Sequence, residues 1–189
     1  MMVSNPMDSS AVDTLIKSKP ELAAHKDKLL ALKKGSYCLH RSWGVGHIKN
    51  YDEAKNRLVI DFEGDKQTHE MEPAFCVTKL ELLPENHIIA AHRKNPAEIQ
   101  ALIDSNPAEI FSRILTLSPN NTMSLLEMES TLQYLMGADY KKWLTNAKKR
   151  LAKDSLIAFP VKKTDSYVLR AEPVAADDEI LVAFYKTKN

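Results

Sequence analysis

The residues whose types and spacing carry the clearest chemistry are cations grouped late in the chain. At 3.6 residues per helical turn, one face of the segment 140–153 is apolar. That face consists of Tyr140, Trp143, Leu144, Ala147 and Leu151. The opposite face and its flanks carry Lys141, Lys142, Lys148, Lys149, Arg150 and Lys153. Such a ridge can bind phosphate oxygens and predicts contact with DNA or RNA, although a merely solvated helix face has the same pattern.

The charge of the whole chain, +1, conceals an uneven distribution. Residues 35–86 contain six Lys and Arg against nine Asp and Glu, a net charge of −3. Residues 97–138 contain one against five, or −4, whereas residues 139–170 contain nine against three, or +6. Because the basic charge is concentrated in one segment, we predict an acidic partner for that segment. The exposed face lacks groups of Asn, Gln or Arg suited to bidentate base recognition, so any binding should be weakly sequence-specific.

Patterns typical of enzymes and metal sites are absent from the sequence. The residues that could approach one another as metal ligands are Cys38, His40, His47, His69 and Cys76. They lack the C-x-x-C or H-x-x-x-H spacing of a zinc site. Gly44-Val45-Gly46 has neither the third glycine nor the following helix of a nucleotide-binding loop, and no Gly-x-Ser-x-Gly turn occurs. We therefore expect no enzymatic activity, cofactor or metal.

The first half of the chain combines a helical start with short strands. Residues 1–13 are polar and aperiodic, which predicts disorder, and residues 14–34 form a helical lead-in that ends at Gly35. Residues 35–86 contain β-favourable runs at 37–40, 45–51, 57–62, 66–71 and 76–83. Because such short strands cannot form a large sandwich, we predict a small SH3/Tudor-like β-barrel, whose closure removes exposed edges.

From residue 87 the apolar period becomes helical. Pro96 and Pro107 each follow an asparagine that can cap a helix, and further helices are predicted over 124–136 and 140–153. Strands at 157–161 and 167–170 flank a turn that contains Lys162 and Lys163. This order predicts a helical winged-helix-like domain over residues 87–170, with the two lysines at the wing tip. Residues 171–189 are a tail or the start of a further segment, and the fold class is α+β.

The amino-acid composition of the chain indicates the cellular compartment in which we expect the protein. No apolar run approaches the roughly 18 residues that span a membrane, and the N-terminus lacks the pattern of a signal peptide. Two cysteines are too few for the disulfide framework of a small secreted protein. We expect a cytoplasmic protein without membrane contact.

The pattern Gly35-x-Tyr37-x-x-His40-x-x-x-Gly44-x-Gly46-x-Ile48 resembles the opening of a known domain. It is similar to the RNA-polymerase-interacting domain of CarD-type regulators and transcription-repair coupling factors, although Cys38-Leu39 replaces a common aliphatic pair. The resemblance implies a Tudor-like barrel that binds the β subunit of RNA polymerase, largely through a strand edge. The partner-binding candidates are Trp43, Val45, Ile48 and Phe62. Trp43 is either a partner-facing anchor or a lid on the barrel mouth.

A second pattern, Trp143-x-x-x-Ala147-x-x-x-Leu151-x-x-Asp154 with 157–160 and 167–170, resembles winged-helix modules of bacterial transcription proteins. The combination is similar to the N-terminal extension of some long Gre-type elongation factors. Because no segment matches the Gre coiled coil, transcript cleavage is not implied for these residues.

These interpretations predict a bacterial transcription module with two tasks. The barrel would dock on RNA polymerase, while Lys141, Lys142, Lys148, Lys149, Lys153, Lys162 and Lys163 would contact DNA or RNA. The alternative is a protein-binding scaffold in which the lysines serve solubility.

Overall fold

The chain divides into two units, residues 1–85 and 86–189, in a computed structural model that describes residues 7–174. Both mix helices with antiparallel strands, so the α+β class is correct. Most of the predicted tail, residues 175–189, lies outside the described residues.

The first unit begins with helices that supply apolar side chains to its core. Helix α1 spans Ser9–Ser18, a 3-10 turn spans Pro20–His25, and α2 spans Lys26–Ala31. The prediction of disorder is therefore wrong for residues 9–13. The reason is local capping together with burial: the Asp8 carboxylate accepts a 2.9 Å hydrogen bond from the Ala11 N–H, and Met7 and Val12 are buried.

A five-stranded antiparallel sheet follows, in the order β4-β3-β2-β1-β5. Its strands are β1 (Tyr37–His40), β2 (Gly44–Asp52), β3 (Arg57–Phe62), β4 (His69–Met71) and β5 (Leu80–Leu83). Residues of β3 alternate, so that Leu58, Ile60 and Phe62 are buried. The register pairs Gly46 with both Cys38 and Phe62, on its two neighbouring strands.

The end of this sheet differs from the prediction. Pro73–Lys79 is a helix, α3, so that the predicted strand 76–83 is reduced to β5. Pro73 occupies the first turn of α3, where its fixed φ and missing N–H suit a helix start, and the helix buries Cys76 and Val77. The predicted strand 66–71 is likewise reduced to β4, because the chain turns at residues 66–68.

The sheet is not a closed barrel. Within residues 7–174, β4 and β5 are the two edges and do not pair with each other. Instead, one apolar cluster joins the sheet to all three helices, through Leu15 of α1, Leu29 of α2 and Cys76 of α3. These helices bury apolar side chains of the sheet but do not pair its two edges, which the predicted barrel closure would have removed.

The second unit consists of five helices and a small sheet in its described part. The helices are α4 (Ile88–Lys94), α5 (Pro96–Ser105), α6 (Pro107–Thr116), α7 (Leu125–Met136) and α8 (Tyr140–Arg150). The strands β6 (Thr122–Ser124), β7 (Ile157–Ala158) and β8 (Ser166–Leu169) pair in the order β6-β8-β7. As predicted, Asn95 and Asn106 cap α5 and α6. Strand β6 was not predicted, because three residues carry too little periodicity.

No described helix is both long enough and apolar enough to cross a membrane.

Candidate nucleic-acid interface and docking surface

Helix α8 is anchored by the apolar face that its sequence predicts. Tyr140, Leu144, Ala147 and Leu151 are buried. Trp143 is half-buried and its Nε1 donates a 2.8 Å hydrogen bond to the Ile103 carbonyl. The helix was predicted to reach residue 153 but ends at Arg150, one residue before the buried Leu151. Lys153 therefore lies in the turn that follows the helix.

A cluster of aromatic rings holds α6, α8 and the small sheet together. The ring of Phe111 stacks on Trp143 at 5.8 Å between centroids and on Tyr167 at 5.7 Å. Phe159 meets both Phe111, at 5.2 Å, and Tyr167, at 5.7 Å, edge to face. Because Phe159 lies next to β7 and Tyr167 lies on β8, the cluster fixes the β7–β8 hairpin relative to α8.

The opposite face of α8 is exposed and basic. Lys141, Lys142 and Lys149 are exposed, as is Lys153 beyond the helix. Lys148 differs because it is half-buried, with its Nζ 5.7 Å from the centre of the Tyr167 ring. An ammonium above an aromatic face is attracted to the ring, so Lys148 contributes to packing as well as to surface charge.

Two uncharged polar residues share the exposed face and were not among the predicted site residues. Thr145 and Asn146 lie between Lys142 and Lys149 and are exposed. The Thr145 hydroxyl donates a hydrogen bond to the Lys141 carbonyl at 2.9 Å. Asn146 carries the single side-chain amide of α8 and lies four residues after Lys142. This i, i+4 spacing places both residues on one face and could have identified Asn146 as a candidate site residue.

Lys162 and Lys163 lie in the turn between β7 and β8, as the sequence indicates, and both are exposed. The Asp165 carboxylate organises this turn. Its Oδ2 accepts hydrogen bonds from the Val161 N–H at 3.1 Å and the Lys162 N–H at 2.7 Å. Asp154 similarly accepts the N–H groups of Leu156 and Ile157 at 2.8 and 2.9 Å. Two of the three carboxylates in the basic segment thus accept hydrogen bonds from the backbone.

The predicted docking residues of the first unit are placed differently from the prediction. Val45, Ile48 and Phe62 are buried in the core, with 1%, 0% and 0% of their surface exposed. Their side chains cannot reach a partner, so their assignment as partner-binding residues requires correction. Alternation along β2 and β3 turns Ile48 and Phe62 into the apolar cluster shared with the helices, whereas Val45 is buried outside that cluster.

Trp43 is half-buried and packs against the core. Its ring stacks on His40 at 4.1 Å and meets His69 at 4.6 Å and Phe62 at 5.3 Å, edge to face. The ring therefore covers Phe62, which favours the lid interpretation of Trp43 over the partner-facing one.

A more accessible surface lies at the β4 edge. Phe75, on α3, is 45% exposed, and a shallow depression of about 280 Å³ lies beside it. The depression is lined by Arg57, His69, Glu70, Met71, Glu72 and Phe75. Phe75 was not among the predicted site residues, because helix α3 was not predicted. Apolar Cys76 and Val77 follow Pro73 at helical spacing, and this pattern could have predicted the helix that carries Phe75.

Cys38 and Cys76 are free, buried cysteines. Burial raises the pKa of Cys38 and of Cys76 to about 12, which disfavours the thiolate that metals and electrophiles require. Across residues 7–174 no three His, Cys, Asp or Glu side chains are grouped to hold a metal ion.

Comparison with known proteins finds a similarity in the second unit. Residues 89–174 match a family described as "GRAD helix-turn-helix domain", a stretch that contains α7 and α8 joined by a short turn at Gly137–Asp139. No solved structure matches the chain.

Curated relatives extend the similarity across most of the chain. A "Putative GreA-associated domains protein" of Treponema pallidum (strain Nichols) is 27% identical over 165 residues, 86% of this chain and 25% of that protein. A "Transcription elongation factor GreA" of Chlamydia pneumoniae is 24% identical over 144 residues, 76% of this chain and 20% of that protein. The chain therefore spans a quarter or less of the relatives' length. Together these similarities support a Gre-related helix-turn-helix module.

Proposed function

We propose that this chain is a non-enzymatic, cytoplasmic transcription module whose second unit binds a nucleic-acid backbone and whose first unit docks on RNA polymerase. The observation that carries the proposal is the exposed lysine ridge of α8, in a unit that matches a helix-turn-helix family. The Chlamydia pneumoniae relative, which is named a transcription elongation factor, points to the same process.

The element order of the second unit supports a winged-helix interpretation. Helix α6, strand β6, helices α7 and α8 and the β7–β8 hairpin follow one another, and β6 pairs with β8. In a helix-turn-helix protein the second helix of the pair enters the major groove. Here that second helix is α8. Lys142 and Lys149 would then contact phosphates, while Asn146 alone offers an amide to base edges, so sequence preference should be weak.

The CarD-like docking role of the first unit rests on the sequence resemblance and on the free edge of its sheet, which is open and not the closed barrel that the resemblance implies. Strand β4 has a neighbour on one side only within the described residues. A partner strand can add to such an edge through backbone hydrogen bonds, and exposed Phe75 beside it offers an apolar anchor. We propose this edge, rather than the buried Val45, Ile48 and Phe62, as the docking surface for the polymerase β subunit.

Nucleic-acid binding is tested by measuring duplex-DNA affinity of the full chain between about 50 and about 200 mM salt. The variant Lys142→Glu/Lys149→Glu should weaken binding and reduce the salt slope by about 2. The matched control is Lys17→Glu/Lys34→Glu, which reverses two exposed charges in the first unit. Equal affinity and slope in wild type and the α8 variant would contradict the proposal.

Docking is tested separately with purified polymerase β subunit. Phe75→Ser should weaken capture of the β subunit, whereas Leu126→Ser, which changes an exposed apolar residue of the second unit, should not. Polymerase binding without DNA binding at low salt would instead favour the protein-binding scaffold.

A further inference from the structure

Four aromatic and imidazole rings of the first unit lie next to one another. The Trp43 ring lies 4.1 Å from that of His40 and 4.6 Å from that of His69, measured between centroids. The fourth ring, Phe75, lines the depression beside β4 together with His69. The first three residues are half-buried and Phe75 is 45% exposed, so each keeps part of its surface in solvent. These four residues form what we call the ring surface.

Two lysines accompany the ring surface. The Nζ of Lys66 lies 5.8 Å from the centre of the Trp43 ring, and the Nζ of Lys79 lies 5.8 Å from the centre of the Phe75 ring. Both lysines are exposed, and neither forms an ion pair with another described residue. Their charge is therefore available to an anionic ligand.

His40 adds a fixed hydrogen-bond donor. Its Nδ1 accepts a 3.2 Å hydrogen bond from the Ser42 N–H, so the proton of the neutral ring is on Nε2. Within residues 7–174, Nε2 has no hydrogen-bond partner and is not buried, so a ligand oxygen can accept from it. Burial lowers the pKa of His40, and the positive charges of His69 and Lys79 lower it further. The electrostatic field at this ring is therefore positive.

The acidic side chains near the ring surface leave it with a net positive charge. Glu70 and Glu72, which line the depression, pair with Lys55 and Arg57 at 3.0 and 3.1 Å. Asp65, in the turn that precedes β4, is exposed and has no ion pair with a described residue. An anionic ligand would thus meet two lysines and one unpaired carboxylate.

Rings and lysines together favour nucleotides whose bases are unpaired. Each nucleotide carries a phosphate for a lysine and a base whose flat face can cover an aromatic ring, and such stacking tolerates every base. In a duplex the bases stack on one another and are not free to cover a protein ring. An acidic protein segment would satisfy the lysines but would leave the exposed rings uncovered.

We infer that the first unit binds single-stranded nucleic acid on the ring surface. Bases pack against the exposed parts of Phe75 and Trp43. Lys66 and Lys79 bind phosphates, to which the His40 Nε2–H also donates. This inference goes beyond the proposed function, in which nucleic acid contacts the second unit and the first unit docks on polymerase.

The test uses the full chain with Lys142→Glu/Lys149→Glu, the α8 variant, which removes the proposed backbone contacts of the second unit. Labelled single strands of RNA and of DNA, each about 12 nucleotides long, should bind the α8 variant at about 50 mM salt. Binding of either strand supports the inference, because both present unpaired bases and phosphates. The ratio of the two affinities identifies RNA or DNA as the preferred source.

Lysine substitutions in the α8 variant test the phosphate contacts. Lys66→Gln/Lys79→Gln should weaken single-strand binding and reduce the salt slope by about 1.4, because two phosphate contacts are lost. The matched control Lys17→Gln/Lys34→Gln removes two other exposed lysines of the first unit and should change neither quantity.

Phe75→Leu separates the ring surface from polymerase docking. Leucine keeps an apolar side chain beside β4 but has no aromatic face, so single-strand binding should weaken about fivefold or more while capture of the β subunit is kept. Phe75→Tyr keeps the ring and should bind single strands as tightly as phenylalanine does. An equal affinity of the leucine and tyrosine variants would contradict base stacking.

Trp43 gives an independent readout. The chain contains two tryptophans, so in Trp143→Phe all tryptophan fluorescence comes from Trp43. A bound single strand should quench this fluorescence, whereas unchanged fluorescence at saturation would contradict contact with the ring surface.

The outcomes separate this inference from the proposed function. An α8 variant that loses both duplex and single-strand binding would overturn the inference and leave the proposed function standing. Unchanged duplex binding by the α8 variant, with single-strand binding sensitive to Lys66→Gln/Lys79→Gln, would do the reverse. Polyglutamate that displaces the oligonucleotide at equal charge concentration would overturn the inference in favour of an acidic protein partner. Thermal unfolding checks that the substitutions, all at exposed or half-buried positions, leave the fold intact.

Discussion

The indole Nε1 of Trp143 donates its 2.8 Å hydrogen bond to the carbonyl of Ile103, in the last turn of α5. The last four carbonyls of an α-helix lack partners within the helix. Helix α8 supplies hydrogen-bond donors to two of these carbonyls, because Arg150 Nη2 also donates to the Ser105 carbonyl, at 2.9 Å. The basic helix is therefore positioned by capping the end of α5 as well as by its apolar face.

Trp143→Phe tests this arrangement. It keeps a ring against Phe111 but leaves the Ile103 carbonyl without its donor, which should lower the free energy of unfolding by about 1 kcal/mol. Helix α8 should also be less firmly oriented, so DNA affinity should fall. Urea denaturation and DNA titration measure the two effects. Trp43→Phe, in the first unit, is the control and should leave DNA affinity unchanged; an equal loss in both variants would contradict a specific role for Trp143.

Gly46→Ala should destabilise the first unit by about 1–3 kcal/mol through overpacking. An added Cβ would lie 2.6 Å from a Phe62 ring carbon and 2.9 Å from the Cys38 Sγ, inside the core. Gly64→Ala is the comparison, because its Cβ would meet nothing within 4 Å and only its left-handed φ of +68° is strained. Chemical denaturation of both variants checks the ranking; a smaller loss for Gly46→Ala would refute the packing argument.

Cys38 and Cys76 should resist alkylation in the native protein at about pH 8, because both thiols are buried and their pKa is raised to about 12. Iodoacetamide labelling followed by mass spectrometry should give little product until urea unfolds the first unit. Rapid labelling of either cysteine in the folded protein would show that the core around it opens.

Acid should weaken the first unit partly through His40. Burial, together with the nearby positive charges of His69 and Lys79, lowers the pKa of His40 below its ordinary 6.5. The unfolded chain then binds more protons than the native protein below that value, so stability falls as pH decreases from 6.5 toward the native pKa. His40→Gln should show a smaller loss of unfolding free energy between about pH 7.5 and about pH 5.5. An identical pH dependence in both proteins would rule His40 out.

Several features followed from local sequence alone. The spacing of Tyr140, Leu144, Ala147 and Leu151 encodes the buried face of α8, because helical geometry fixes which side chains share a side. Asn95 and Asn106 mark helix starts because a cap needs only a side chain and an N–H three residues later. The hairpin turn at Lys162 and Lys163 is equally local.

Tertiary structure decided what periodicity cannot express, namely which neighbour covers each face. Alternation along β2 and β3 gave two faces but did not say that α1, α2 and α3 would bury Ile48 and Phe62. Trp143 and Ile103 lie 40 residues apart, and no local pattern pairs an indole with one particular carbonyl. The basic residues of α8 and of the β7–β8 turn can therefore be recognised in the sequence. The surface on which they are presented depends on long-range packing that only the folded chain specifies.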